Sequence, residues 1–162
     1  KKGSKIKEKL IQKILIKAKR KIKTIKTKIK EKKGLKSIEV VAAIIKKDNQ
    51  FLATQRGYGE FINMWEFPGG KIESGETQKE ALIREIQEEL NATIKPEKFL
   101  LTIKYTYPTF HLTMHCYLCK IIKGQITLLE HNAGKWLTIN ELDTVEWLPA
   151  DIEVVDYIKE KL

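Results

Sequence analysis

Runs of apolar residues separated by polar turns predict the strands of this chain. The β-branched residues at 38–45 predict a buried strand, and residues 51–56 predict a second strand after a polar turn. Residues 99–107 and 110–122 predict a longer pair of strands, and residues 125–129 predict a short one. Because helical segments alternate with these strands, the pattern predicts a mixed α/β (α+β) fold.

Helical spacing of apolar residues marks residues 77–90 and 149–162. Thr77 and Glu80 form the sequence signature of a capping box, so the first helix is expected to begin directly after Thr77. The second helix starts with Pro149, a residue suited to the first helical turn. The apolar residues of the first helix are Ala81, Leu82, Ile83, Ile86 and Leu90.

Charge divides the chain near residue 37. Residues 1–37 hold 17 basic and two acidic residues, a net charge of +15, whereas residues 38–162 hold 14 basic and 19 acidic residues, a net charge of −5. We therefore expect a lysine-rich extension over residues 1–37 and one domain over residues 38–162. Apolar residues recur in the extension at intervals of four and three, which predicts an amphipathic helix. They are Ile11, Leu15, Ala18, Ile22, Ile25 and Ile29.

The basic extension suits three kinds of partner. Residues 1–33 can bind nucleic acid, an anionic membrane surface or a protein partner, and a targeting segment or a solvated lysine-rich tail are the alternatives. No apolar run is long enough to predict a transmembrane segment. Two cysteines give no disulfide framework and no secretory signal is visible, which favours a cytoplasmic location.

The two cysteines spell C-x-x-C within a predicted strand. Residues three apart on a strand point to opposite faces, so Cys116 and Cys119 are expected to pack separately rather than share a zinc ion or a disulfide.

Acidic residues cluster on one face of the helix over residues 77–90. Glu85, Glu88 and Glu89 share that face because their spacing is three and four, and Arg84 lies beside them. Oxygen-only clusters of this kind suit hard cations such as Mg²⁺ or Mn²⁺, while a solvated acidic face is the alternative. The Pro-Gly-Gly turn before the helix favours the metal site, because glycines there allow close approach of the backbone to a ligand.

The segment resembles the Nudix box, G-x5-E-x7-R-E-U-x-E-E-x-G-U, in which U is an aliphatic residue. Two positions depart from it, because Asn91 stands in place of the last glycine and Ala92 in place of the final aliphatic residue. Asn tolerates a left-handed helix end, so Asn91 is expected to take over the geometric role of the glycine. The matching residues are Gly70, Glu76, Arg84, Glu85, Ile86, Glu88 and Glu89.

The resemblance implies a Nudix fold, a mixed β-sheet sandwiched between α-helices, and metal-dependent hydrolysis of a nucleoside diphosphate linked to another moiety. It also implies metal ligands at Glu85, Glu88, Glu89 and the Gly69 carbonyl. Glu130 occupies the region in which MutT-like members carry a further acidic ligand or base. The catalytic general base is therefore either Glu85 or Glu130.

Further site residues follow from the same resemblance. Arg84 is expected to hold the box together by pairing with a glutamate, and Arg56, at a strand end, is a candidate for phosphate contact. Asp151 occupies the helix start with which MutT-type enzymes recognise a base, and Phe67 and Trp147 are expected to flank the base.

The resemblance thus predicts a MutT-like pyrophosphohydrolase that converts (deoxy)nucleoside triphosphates, including oxidised or modified ones, to nucleoside monophosphate and pyrophosphate. Hydrolysis of RNA 5′ ends, ADP-ribose or nucleotide sugars is the alternative enzyme activity. A catalytically silent nucleotide-sensing or scaffold domain is the non-enzymatic alternative.

Overall fold

The computed structural model describes the backbone of Lys2–Leu162 and the side chains from Ser4 onward. Its contacts divide the chain into two compact units. The first unit comprises the segment up to Lys36 together with Pro108–Phe110, and the second comprises Ser37–Tyr107 and His111–Leu162.

The first unit consists mainly of helix α1 (Lys2–Lys33), which confirms the helical extension expected from the sequence. The helix ends at Lys33, and the backbone nitrogen of Gly34 lies 3.2 Å from the carbonyl oxygens of Lys30 and Glu31. Lysines in its last turn complement the negative end of the helix dipole. Over the described part of the chain, no helix is both long and apolar enough to cross a membrane.

The second unit is built on a seven-stranded sheet flanked by helices, which confirms the predicted fold class. The main strand order is β3-β2-β1-β6-β5, with β4 paired to β1 and β7 paired to β2. A 3-10 helix (Ile139–Thr144) precedes α3. The other elements are β1 (Lys36–Lys47), β2 (Gln50–Gln55), β3 (Trp65–Glu66), β4 (Gly69–Lys71), α2 (Gln78–Leu90), β5 (Thr93–Thr106), β6 (Phe110–Lys123), β7 (Ala133–Thr138) and α3 (Pro149–Lys161).

Strand β1 positions the glycine turn. Its residues 41–45 are all buried, as expected for an apolar run in the middle of a sheet. Strand β4 pairs with it antiparallel, with Ala42 opposite Gly69 and Val41 opposite Gly70. A Cβ on Gly69 would overlap the carbonyl oxygen of Val41, so only glycine allows the two strands to approach this closely.

The strand expected over residues 125–129 is absent, and this prediction is wrong. The N–H of Thr127 donates to the carbonyl of Leu90 at 2.8 Å, and the N–H of Leu129 donates to that of Glu89 at 3.1 Å. The segment therefore satisfies carbonyls that the end of α2 would otherwise leave unpaired. The strand that follows β6 in the sequence is instead β7, which pairs with β2 over six residue pairs.

Helix α2 has the ends that its sequence predicts. The side chain of Thr77 accepts from the N–H of Glu80, and the carboxylate of Glu80 accepts from the N–H of Thr77. Asn91 closes the helix in the left-handed conformation, at φ 52° and ψ 37°, as the glycine of the box would. The helix packs on the sheet through Ala81, Leu82, Ile86 and Leu90.

Replacement of Leu82 by Ala is expected to lower the free energy of unfolding by about 2–5 kcal/mol, because Leu82 is fully buried and its loss leaves a cavity. Urea denaturation of the purified protein measures this change. Ile83→Ala is the matched control, because Ile83 is 38% exposed on the same helix and its truncation is expected to cost less than about 1 kcal/mol. Equal losses in the two variants would contradict the packing of α2 on the sheet.

Strand β6 separates the two cysteines, as expected. Cys119 belongs to the core cluster under α2, whereas the charge of Asp151 in α3 acts on Cys116. Both thiols are free and buried. Burial raises the pKa of both, that of Cys119 to about 12.

Candidate functional site

Arg84, in the middle of α2, is the centre of a charged network that joins the helix to the loop before it. Its guanidinium donates to both carboxylate oxygens of Glu76, at 2.7 and 2.8 Å, to Glu85 at 3.0 Å and to Glu88 at 3.2 Å. A fifth bond, 3.0 Å long, goes to the carbonyl of Lys71. The bond to Glu76 is the largest cause of a raised pKa at Arg84, so the guanidinium stays charged.

Glu76 links this network to the loop before the helix. Its carboxylate accepts from the N–H of Glu73 at 2.8 Å as well as from Arg84. The bonds to Arg84 and to Glu73, in that order, lower the pKa of Glu76. The loop between β4 and α2 is therefore fixed to the helix by one arginine and one carboxylate.

Glu85 is seated on the second glycine of the turn. A Cβ on Gly70 would overlap the carboxylate of Glu85, so the glycine leaves the space that this group occupies. Burial is the largest cause of a raised pKa at Glu85, while Arg84 opposes the shift. A half-buried carboxylate that retains an ionic partner is suited to hold a cation or to accept a proton.

The side chain of Glu89 is largely buried, at 15% exposure. Its Oε2 atom is buried and has no hydrogen-bond partner. Burial, followed by the charges of Glu85, Glu66 and Glu130, raises the pKa of Glu89 to about 8. Four carboxylates thus influence one another here, although they come from β3, from α2 and from the loop before β7.

Two residues of this region were not identified from the sequence. His131, whose side chain is 6% exposed, has its Nε2 atom 3.7 Å from Glu66 and 3.9 Å from Glu89, and its Nδ1 atom is buried without a partner. Glu66 also pairs with Arg56 at 3.4 Å. The only sequence feature that could have indicated them is that each lies next to a predicted site residue, since Glu66 precedes Phe67 and His131 follows Glu130.

Arg56 and Glu66 connect the acidic cluster to the start of α3. The charges of both residues affect the pKa of Glu89 and also that of Asp151. The side chain of Arg56 is 33% exposed, so its guanidinium can still meet a ligand from solvent. Arg56 is therefore the predicted site residue whose charge acts both on Glu89 in the acidic cluster and on Asp151 in α3.

Asp151 is almost completely buried, at 4% exposure. Its Oδ1 atom accepts from the N–H of Phe67 at 2.9 Å, which ties the first turn of α3 to the turn before β4. Burial raises the pKa of Asp151 well above its ordinary value, and the bond from Phe67 opposes this shift. Close by, the hydroxyl of Tyr107 accepts from the N–H of Ala150 at 3.1 Å.

Phe67 and Trp147 stack on each other, with ring centroids 4.6 Å apart and an angle of 21° between the rings. Each ring covers one face of the other, and both residues are less than 8% exposed. The indole N–H of Trp147 donates to the carbonyl of Leu142 at 2.6 Å, which fixes the ring. The two rings form one apolar wall beside Asp151, rather than two sides of a slot.

The acidic cluster has the chemistry of a site for a hard divalent cation. Within the part of the chain that the structure describes, no three His, Cys, Asp or Glu side chains converge closely enough to hold a metal ion. The donors nevertheless fit, because the buried Oε2 atom of Glu89 lacks a hydrogen-bond partner, and burial together with the charges of Glu85, Glu66 and Glu130 raises the pKa of Glu89. A cation at this place would give the Oε2 atom of Glu89 a partner and would favour the charged form of the carboxylate.

Comparison with known proteins identifies the family of this chain. A model of the NUDIX domain matches residues 40–157. The 8-oxo-dGTP diphosphatase of Escherichia coli K12 is 32% identical over 129 residues, which cover 77% of this chain and 98% of that protein. The CTP pyrophosphohydrolase of the same organism is 32% identical, over 75% of this chain and 91% of that protein.

A solved structure agrees with these relatives. The MutT protein of methicillin-resistant Staphylococcus aureus 252, described as a Nudix hydrolase, is 42% identical and superposes with a TM-score of 0.63. The superposition covers 79% of this chain and 99% of that one. The chain therefore belongs to the Nudix family of divalent-metal-dependent hydrolases, which act on pyrophosphate bonds.

Proposed function

We propose that this protein is a MutT-like pyrophosphohydrolase of the nucleotide pool. It hydrolyses (deoxy)nucleoside triphosphates, including oxidised or modified ones, in the cytoplasm. The observation that carries the proposal is that one domain holds both an acidic cluster and a buried carboxylate at Asp151. Arg84 fixes the position of the acidic cluster, Gly70 leaves space for the carboxylate of Glu85, and Asp151 accepts a hydrogen bond from Phe67. The relatives named for 8-oxo-dGTP and CTP support the same class of substrate.

The carboxylates are assigned to a site for Mg²⁺ or Mn²⁺. Glu85, Glu88, Glu89 and Glu130, with the carbonyl of Gly69, would hold the ion. When bound, such an ion neutralises polyphosphate charge and lowers the pKa of the attacking water.

The reaction adds one water across a phosphoanhydride bond. The bond between the α- and β-phosphoryl groups breaks, the water oxygen stays on one product, and nucleoside monophosphate and pyrophosphate are released. Either Glu85 or Glu130 accepts the proton of the water. Glu85 is half-buried beside Arg84, whereas Glu130 lies in an exposed loop, so comparison of Glu85→Gln with Glu130→Gln separates the two assignments.

Asp151 is assigned to recognition of the base, next to the wall of Phe67 and Trp147. One oxygen is committed to the N–H of Phe67, which leaves the other for the edge of a base. A carboxyl with a raised pKa takes up a proton readily and can then donate a hydrogen bond as well as accept one. Arg56 is assigned to a phosphate of the substrate.

Hydrolysis of a panel of substrates, followed by chromatographic identification of the products, tests the proposed function. The panel contains the common and oxidised nucleoside triphosphates, ADP-ribose, a nucleotide sugar and 5′-triphosphate RNA, each with Mg²⁺ and with Mn²⁺. Selective turnover of a triphosphate to monophosphate and pyrophosphate is expected. Turnover of RNA or ADP-ribose alone would replace the proposal with the other hydrolase activity, and no turnover at all would favour a sensing or scaffold domain.

Asp151→Ala is expected to lower kcat/KM for the preferred triphosphate about 10–100-fold, because a hydrogen bond to the base is lost. The fold should also be destabilised, since the buried N–H of Phe67 loses its acceptor. Asp151→Asn is the matched control for the fold, because the amide oxygen can still accept from Phe67. A preferred substrate that both variants hydrolyse at the wild-type rate would contradict base recognition by Asp151.

Comparison of Asp151→Asn with the wild type also tests the raised pKa of Asp151. The folded chain binds this proton more tightly than the unfolded chain, so protonation stabilises the fold. The contribution is complete below the ordinary carboxyl pKa of about 4, and it is lost as the pH rises through the raised value. Unfolding free energy measured against pH should therefore fall less steeply over this interval in Asp151→Asn than in the wild type.

A further inference from the structure

Helix α1 exposes a continuous apolar stripe. Seven large side chains on it are each between 46% and 59% exposed, although aliphatic residues of this size are usually buried. They are Leu10, Ile11, Ile14, Leu15, Ile22, Ile25 and Ile29.

These side chains occupy one side of the helix. At about 100° per residue they fall, together with Ala18, within a sector of roughly 140°. Over residues 10–30, basic residues dominate the rest of the circumference, while Lys21 lies within the sector and Lys28 lies on its edge. The basic residues outside the sector include Lys13, Lys17, Lys19, Arg20, Lys23, Lys26 and Lys30.

We propose that α1 binds the surface of an anionic phospholipid bilayer, lying in the plane of the interface. A strongly basic polar face beside a wide aliphatic stripe, on a helix too polar to cross a bilayer, characterises helices that lie on membranes. The stripe would enter the boundary between headgroups and acyl chains, while the lysines would contact anionic headgroups. With 32 residues, α1 extends for about 48 Å, and the stripe covers more than half of that length.

Charge and shape make other occupants less suitable. A second copy of α1 would cover the stripe, but it would bring together two helices that each hold 15 basic and two acidic residues, a net charge of +13. RNA would neutralise the lysines, but its phosphates would leave the aliphatic side chains in water. An anionic bilayer can bury the aliphatic stripe and neutralise the lysines at the same time.

Binding of the full-length chain to lipid vesicles tests the proposal. Co-sedimentation is measured with vesicles of phosphatidylcholine alone and with mixed vesicles of phosphatidylcholine and phosphatidylserine. Binding to the mixed vesicles is expected to be at least about tenfold stronger than to the neutral ones, and to weaken as salt is raised. Equal binding to both kinds of vesicle, or to neither, would overturn the proposal.

A pair of double variants separates the stripe from non-specific adsorption. Ile22→Gln with Ile25→Gln removes two side chains from the stripe and is expected to weaken vesicle binding about 100-fold. Ile6→Gln with Ile16→Gln makes the same chemical change outside the sector and should alter binding by less than about twofold. Circular dichroism and nucleotide hydrolysis confirm that both full-length variants keep their helices and a folded catalytic domain.

Fluorescence anisotropy with a single-stranded RNA oligonucleotide provides the opposing measurement. If the helix is a membrane anchor, vesicle binding depends on Ile22 and Ile25 and exceeds any binding to RNA at the same salt concentration. If RNA binds more tightly than mixed vesicles, and the Ile22 and Ile25 changes leave both affinities unaltered, the stripe has no part in binding. That result would overturn the proposal and assign the basic face to nucleic acid.

Discussion

Replacement of Glu85 by Gln is expected to lower kcat by about 10²–10⁴-fold while the protein stays folded. The amide retains the size of the carboxylate, so it still fits above Gly70 and can still accept from Arg84 through its oxygen. What is lost is the negative charge, and with it the capacity to hold a cation or to accept a proton. Steady-state kinetics at saturating metal, together with the melting temperature, measure both consequences.

Glu80→Gln is the matched control for this variant. It makes the same chemical change on the same helix, and Gln at the third helical position still completes a capping box. Its kcat is expected to stay within about twofold of the wild type. If Glu85→Gln behaved in the same way as Glu80→Gln, Glu85 would be neither a metal ligand nor the base, and the assignment of the acidic cluster would fail.

Arg84→Lys is expected to lower kcat by about 10–100-fold although the positive charge is conserved. The guanidinium of Arg84 donates to three carboxylates and to the carbonyl of Lys71 at once, and its planar fork gives two bonds to Glu76. An ammonium group has three donors and no fork, so it cannot hold all of these groups in position. A lower melting temperature should accompany the kinetic loss.

Arg20→Lys makes the same exchange in α1, outside the catalytic domain, and is expected to leave kcat unchanged. Near-ultraviolet circular dichroism shows whether Arg84→Lys keeps its tertiary packing, so that the kinetic loss is not simply unfolding. Full activity in Arg84→Lys would mean that charge alone is required at this position. The geometric role given to the arginine would then be wrong.

The features that sequence analysis predicted well are local. The capping box, the apolar face of α2 and the left-handed Asn91 depend on residues within one or two helical turns, so spacing was sufficient to identify them. The same holds for the buried central strand β1. The resemblance to the Nudix box then indicated the family, which the comparisons confirmed.

The features that sequence analysis missed depend on distant partners. Residues 125–129 have the pattern of a strand, but their N–H groups pair with the end of α2, which no local rule identifies. Glu66 and His131 join the acidic cluster only because β3 and the loop before β7 meet beside α2. For the same reason, the sequence could not indicate that Phe67 and Trp147 cover each other's faces.

The burial of Cys116 and Cys119 bears on how the protein withstands oxidants. Peroxides attack the thiolate, and both sulfur atoms are buried with pKa values far above neutrality, so neither offers a reactive thiolate. The proposed function includes hydrolysis of oxidised nucleotides, which are most abundant when oxidants are abundant. With its only two cysteines protected in this way, this protein carries no thiol through which the same oxidants would readily inactivate it.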